Sequence, residues 1–128
     1  MIFSIFRRPQ PKPVSLTGAR STLTASHRSR DSGDVHQHTW AITVWVPSQL
    51  PWGPQNALNV QAHLETWIAQ HSGKCLPDRI AWAEDMARNI AEHFSQDVGR
   101  EEYTPMFEPQ AVEIFREKEG LLALWVPA

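Results

Sequence analysis

At 128 residues the chain fits one domain, large enough to build its own core. Hydrophobic residues make up 41% and charged residues 20%, which points to a globular domain and away from disordered and fibrous classes. A formal net charge of -2 gives no reason to expect a nucleic-acid or membrane partner for the body of the protein. The single cysteine, Cys75, excludes an internal disulfide framework and suits a reducing, cytoplasmic compartment.

Residues 1–14 read as an extended arm. Met1 to Phe6 is apolar but far too short to span a bilayer, and the arginines follow it, which is the wrong charge order for a secretory signal. Three prolines at every second position, Pro9, Pro11 and Pro13, keep the next stretch extended and unpaired. Arg7, Arg8, Lys12, Arg20, Arg28 and Arg30 all precede the first acidic residue, Asp31, so the arm is either a phosphate-binding tether or a solvated tail. The domain proper is expected over residues 15–128.

Thr22 to His27 alternates polar and apolar residues, with Leu23, Ala25 and His27 on one face of a strand. Arg28 to Asp34 is a polar, turn-forming connection. Thr39 to Val46 is rich in β-branched and aromatic residues and holds no charged side chain, the composition of a strand with a buried face. Alternation carries His36 and His38 onto the face of Trp40, Ile42 and Val44. Prolines and Gly53 mark a loop over Pro47–Pro54. Asn56 or Asn59 then caps a helix to about Gln70, with Val60, Leu64, Trp67, Ile68 and His71 on its apolar face. After a break at His71–Pro77, Asp78 caps a second helix whose stripe is Ile80, Ala83, Ala87, Ile90 and Phe94. A connection over Gln96–Glu108 leads to a strand, Ala111–Glu117, and a last strand beyond a turn at Lys118-Glu119-Gly120. The order ββααββ predicts an α+β domain, a four-stranded antiparallel sheet with two helices on one face.

Two imidazoles side by side on one strand face, with a third on the strand before it, form a candidate metal site: His27, His36 and His38. Three neutral imidazoles that leave a fourth position free match a catalytic rather than a structural zinc site. The same set also suits iron, nickel or copper. A His-x-His pair alone recurs by chance on exposed strands, and the hairpin register that would bring His27 into range is not set by spacing.

Leu23-Thr24-Ala25-Ser26-His27 followed by His36-Gln37-His38-Thr39-Trp40 at the head of a strand resembles the 6-pyruvoyl-tetrahydropterin and 6-carboxytetrahydropterin synthase family. The resemblance runs over roughly Leu16 to Val126. It includes Ala83-Glu84-Asp85-Met86-Ala87, similar to the family's Pro-Thr-x-Glu-Asn-Leu-Ala helix start. It implies the tunnelling fold, in which subunits join sheet edges into a barrel as a trimer or hexamer. It also implies Zn2+ on the three histidines and a dihydropterin substrate such as 7,8-dihydroneopterin triphosphate, in queuosine or biopterin chemistry. The alternative is a non-catalytic metal-binding domain of the same fold that binds a pterin-like or other small heterocycle.

Several of the family's positions differ here. The cysteine expected between the first histidine and the His-x-His pair is missing, leaving Asp31 or Asp34 as a base or as plain turn residues. Gln70-His71 stands where the family has Asp-His, so His71 is a catalytic candidate that equally reads as packing on a helix face. Cys75, after the first helix, is a displaced nucleophile or base, or an inert thiol. Ala81-Trp82 replaces Pro-Thr, and Glu84 is a substrate-binding candidate that also reads as helix surface. Arg116 falls on the family's pterin-anchoring glutamate, and Glu117, one position on, reaches the same face only through a bulge.

Overall fold

The computed structural model describes residues 15–48, 54–97, 109–116 and 118–128. Strands β1 (Leu16–Arg28) and β2 (Val35–Pro47) each run 13 residues and pair antiparallel from Leu16 opposite Pro47 to Arg28 opposite Val35. The turn between them is closed by Ser29 N–H donating to Asp34 O (2.8 Å) and Gly33 N–H to Ser29 O (2.9 Å). Gly33 adopts φ 74°, a conformation open to glycine at little cost. Strands β3 (Ala111–Arg116) and β4 (Leu121–Trp125) complete an antiparallel sheet of order β1-β2-β3-β4.

The helices cover one face of this sheet, as the ββααββ order requires, but they number three among the described residues. Helix α1 (Pro54–His71) starts with proline at its first position, where a missing N–H costs nothing. Asn56 and Asn59 therefore lie within the helix instead of capping it. The second predicted helix is divided at Trp82, whose φ -101° and ψ 146° are extended, into α2 (Asp78–Ala81) and α3 (Ala83–Asp97). Met86 N–H donates to Trp82 O (2.7 Å), so the carbonyl at the break opens α3.

Alternation along the strands puts Ala19, Leu23, Ala25, Trp40, Ile42, Val44, Val46, Val112 and Ile114 under the helices, all buried. Val60, Leu64, Trp67 and Ile68 of α1 meet Ile80, Ala87, Ile90 and Phe94 above them, with Met86 and Ala91 added to the expected stripe. Trp67 Nε1–H donates to Asn89 Oδ1 (2.9 Å), tying α1 to α3 while satisfying a buried indole. Gly18 sits opposite Trp45, and a Cβ there would come within 2.9 Å of that ring and of Thr43. The glycine is what lets the indole cross the hairpin.

The other sheet face carries Arg20, whose Nε donates to Thr43 Oγ1 (2.7 Å) and whose Nη2 reaches Glu113 (3.2 Å). It also bears Leu122 and Leu124, both exposed on β4 at the sheet edge. No described helix is long and apolar enough to cross a membrane.

Candidate metal centre

The hairpin register decides where the histidines meet. His27 lies directly opposite His36, and His38 lies opposite Ala25. Opposed side chains on an antiparallel pair share a face with Cβ atoms about 5 Å apart. The methyl group of Ala25 leaves room for the His38 ring to lean towards His27. The three ring centroids stand 4.7, 4.7 and 4.8 Å apart, a nearly equilateral triangle of edge-on rings. His27 Nε2 and His36 Nε2 are 3.1 Å apart, and one nitrogen from each of the three rings falls within 4.8 Å of the others. Tetrahedral zinc with bonds of about 2.0–2.1 Å holds its nitrogens about 3.3 Å apart, a spacing the His27–His36 pair already matches, while the widest pair must close by about 1.5 Å through ring rotation. The donor chemistry and the convergence both fit such a group.

Indoles back the triangle on its inner side. Trp40 is 6.2 Å from His27 and 5.6 Å from His38, and Trp82 is 5.0 Å from His27, ring centre to ring centre. Arg30 lies over the Trp82 ring at 4.5 Å, so the break between α2 and α3 sets an aromatic plate between an arginine and a candidate ligand. His27 is 2% exposed, and its Nδ1 is buried without a hydrogen-bond partner. Loss of hydration lowers its pKa from the ordinary value, and the neighbouring His36 and Arg116 charges lower it further. His38 is lowered for the same first reason, then by Arg116 and the other imidazoles, with Glu119 opposing. Both rings are thus held in the neutral form that carries a free lone pair. His36 is exposed at the mouth.

A cleft of about 600 Å³ touches His36, His38 and Glu119 but not His27, and its other strand residues, Thr22, Gln37, Thr39, Ala41 and Phe115, belong to the opposite sheet face. Glu119 is the residue that sequence reasoning passed over as a turn. Its Oε1 lies 3.5 Å from His38 Nδ1 and 3.1 Å from Arg116 Nη2, and Arg116 Nε donates to its other oxygen at 3.3 Å. That guanidinium holds the Glu119 carboxyl below the usual carboxylate range.

The remaining candidates lie elsewhere. Asp31 is exposed at the tip of the β1–β2 turn. Cys75 is exposed on a short segment that adds to the outer edge of β1, where it pairs with Ser26 next to His27. Ser26 N–H donates to Lys74 O (2.9 Å) and Leu76 N–H to Ser26 O (2.7 Å). Glu84 is exposed in the first turn of α3. His71 lies at the end of α1, stacks on Trp67 at 4.1 Å and donates from Nδ1 to Trp67 O (2.7 Å). It lines a separate pocket of about 230 Å³ with Gln70, Arg79, Asn89, Glu92 and His93. Glu117 lies outside the described residues.

No protein-family model matches the sequence, and no curated protein matches it. A solved structure does: the 6-pyruvoyl tetrahydropterin synthase of Caenorhabditis elegans superposes with a TM-score of 0.63 over 91% of this chain and 97% of that one, at 11% identity. The chain therefore shares the fold of that enzyme, and its three histidines converge on the sheet face beneath the helices.

Proposed function

We propose that this chain is a divergent zinc-dependent protein of the 6-pyruvoyl/6-carboxytetrahydropterin synthase type, acting on a dihydropterin such as 7,8-dihydroneopterin triphosphate in a reducing, cytoplasmic setting. The observation that carries the reading is the triangle of His27, His36 and His38 at the edge of a 600 Å³ cleft, in a chain with this fold. Bound zinc supplies a Lewis acid that polarises substrate oxygen and acidifies adjacent C–H bonds. The protein's own groups do the rest. Neutral His27 and His38 offer lone pairs, and Trp40 and Trp82 keep water from the inner side. The cleft borders the triangle at His36, His38 and Glu119, the groups a small ligand of the metal would meet there. The exposed Leu122 and Leu124 at the β4 edge support assembly of several copies through their sheets.

A second reading rests on one specific observation. The carboxylate nearest the triangle, Glu119, is engaged by Arg116 through both oxygens, which weakens it as a proton acceptor. A fold of this kind that binds a pterin without transforming it satisfies the same geometry.

Zinc-loaded protein incubated with 7,8-dihydroneopterin triphosphate tests both. Release of triphosphate or acetaldehyde supports the enzyme. Quenching of tryptophan fluorescence by the pterin without product selects the binding protein, and neither signal from a zinc-saturated sample sinks both.

A further inference from the structure

We propose that Glu119, braced by Arg116, is a positioning residue that orients His38 as a metal ligand. The inference rests on the metal centre proposed above and extends it to the β3–β4 turn.

Three elements converge to make this contact. Alternation along β3 puts Arg116 on the face of Ile114, the helix-covered face that also bears His38. The Arg116 side chain is only 14% exposed, so its direction is set by packing. Gly120 at φ 66° turns the chain directly after Glu119 and sends it back as β4. Both carboxylate oxygens are then met by one guanidinium, at 3.1 and 3.3 Å, which leaves Oε1 3.5 Å from His38 Nδ1, beyond ordinary hydrogen-bond length but facing that nitrogen.

An imidazole whose Nδ1 faces a carboxylate turns the other nitrogen, Nε2, away from it, free for a metal. Ligating histidines are commonly fixed in this way by a carboxylate at the second ring nitrogen. Within this triangle the device serves one ring. His27 Nδ1 is buried with no partner, and that ring is fixed by packing between Trp40, Trp82 and the other imidazoles. His38 packs against both other imidazoles and Trp40, opposite the small Ala25, and its Nδ1 is the ring nitrogen that meets Glu119. Because Arg116 draws charge from the carboxylate, Glu119 contributes direction more than basicity. The competing account makes Glu119 only a counter-ion for a half-buried guanidinium.

Zinc affinity measured by competition with a chromophoric chelator separates the two accounts. Glu119→Ala should weaken binding by about 10–100-fold, the usual cost of losing such a partner. The double variant Arg116→Ala/Glu119→Ala should remain equally weak; recovery to the wild-type affinity would show a counter-ion and overturn the proposal. Nitrogen-15 spectra of the metal-free protein give an independent readout. His38 should carry its proton on Nδ1 in the wild type and lose that preference in Glu119→Ala. A wild-type His38 protonated on Nε2 defeats the inference whatever the affinities. Wild-type protein that holds zinc while Glu119→Ala holds it as tightly overturns this inference alone, and wild-type protein that holds no zinc overturns the metal centre with it.

Discussion

His27 and His71 sit at opposite ends of one question. His71, at the end of α1, donates from Nδ1 to a backbone carbonyl and stacks on Trp67, so that nitrogen and the ring face are both engaged within its own helix. His27 is more deeply buried, has a nitrogen with no partner and faces two other imidazoles from a neighbouring strand. A buried polar group without a partner costs about 1–3 kcal/mol, a cost a fold seldom keeps without use for it. The comparison separates a histidine that completes a helix end from one whose buried nitrogen stands beside two other imidazoles.

The sharpest way to break it is to remove a ring from each place. His38→Ala should abolish tight zinc binding, with a loss beyond the 10–100-fold typical of outer contacts, whereas His71→Ala should leave the measured zinc stoichiometry at one. A full zinc equivalent retained by His38→Ala would contradict the ligand assignment. Large core substitutions sharpen the contrast next. Trp40→Ala and Trp67→Ala should each lower unfolding free energy by about 3–5 kcal/mol in denaturant titration, since both indoles are fully buried. Only Trp40→Ala should also weaken zinc in the fraction still folded, because its ring backs the triangle and Trp67 backs His71.

A smaller effect is expected at the far end of the hairpin. Gly18→Ala forces Thr43 and the Trp45 ring to move and should cost about 1–3 kcal/mol of stability with zinc affinity unchanged. The smallest concerns pH. His27 and His38 titrate below the ordinary 6.5 in the folded protein, so the unfolded chain takes up protons first as the solution is acidified. Stability of the metal-free protein should be fully present above pH 6.5 and decline as pH falls from there through the lowered folded values. Replacing His27 by Gln should flatten that decline in denaturation series collected from pH 7.5 to 5. An unchanged slope would remove the claim that these rings are held neutral.

Much of the site was legible because it depends on local rules. Alternation alone places His36, His38 and Trp40 on one strand face, and the same rule places Leu23, Ala25 and His27 together. Residues Arg28 to Asp34 are turn formers, so an antiparallel hairpin follows. The break at Trp82 was not legible, since Asp78 to Phe94 keeps one helical stripe across it while the backbone at Trp82 is extended and its indole packs beside His27. Glu119 was hidden for a different reason. Nothing in Lys118-Glu119-Gly120 distinguishes a solvated turn from one directed at a ring 81 positions earlier.

The amino-acid order by itself determined which side chains share a face, because two residues per strand repeat is a property of the covalent backbone. It likewise determined that the apolar faces of sheet and helices had to be buried together. Tertiary structure alone decided that His27 stands opposite His36, that Arg116 and Glu119 close on His38, and that His71 lies in another pocket. Those outcomes depend on strand register and on how the layers pack, which are set by the sum of many weak contacts across the chain and by no single stretch of it.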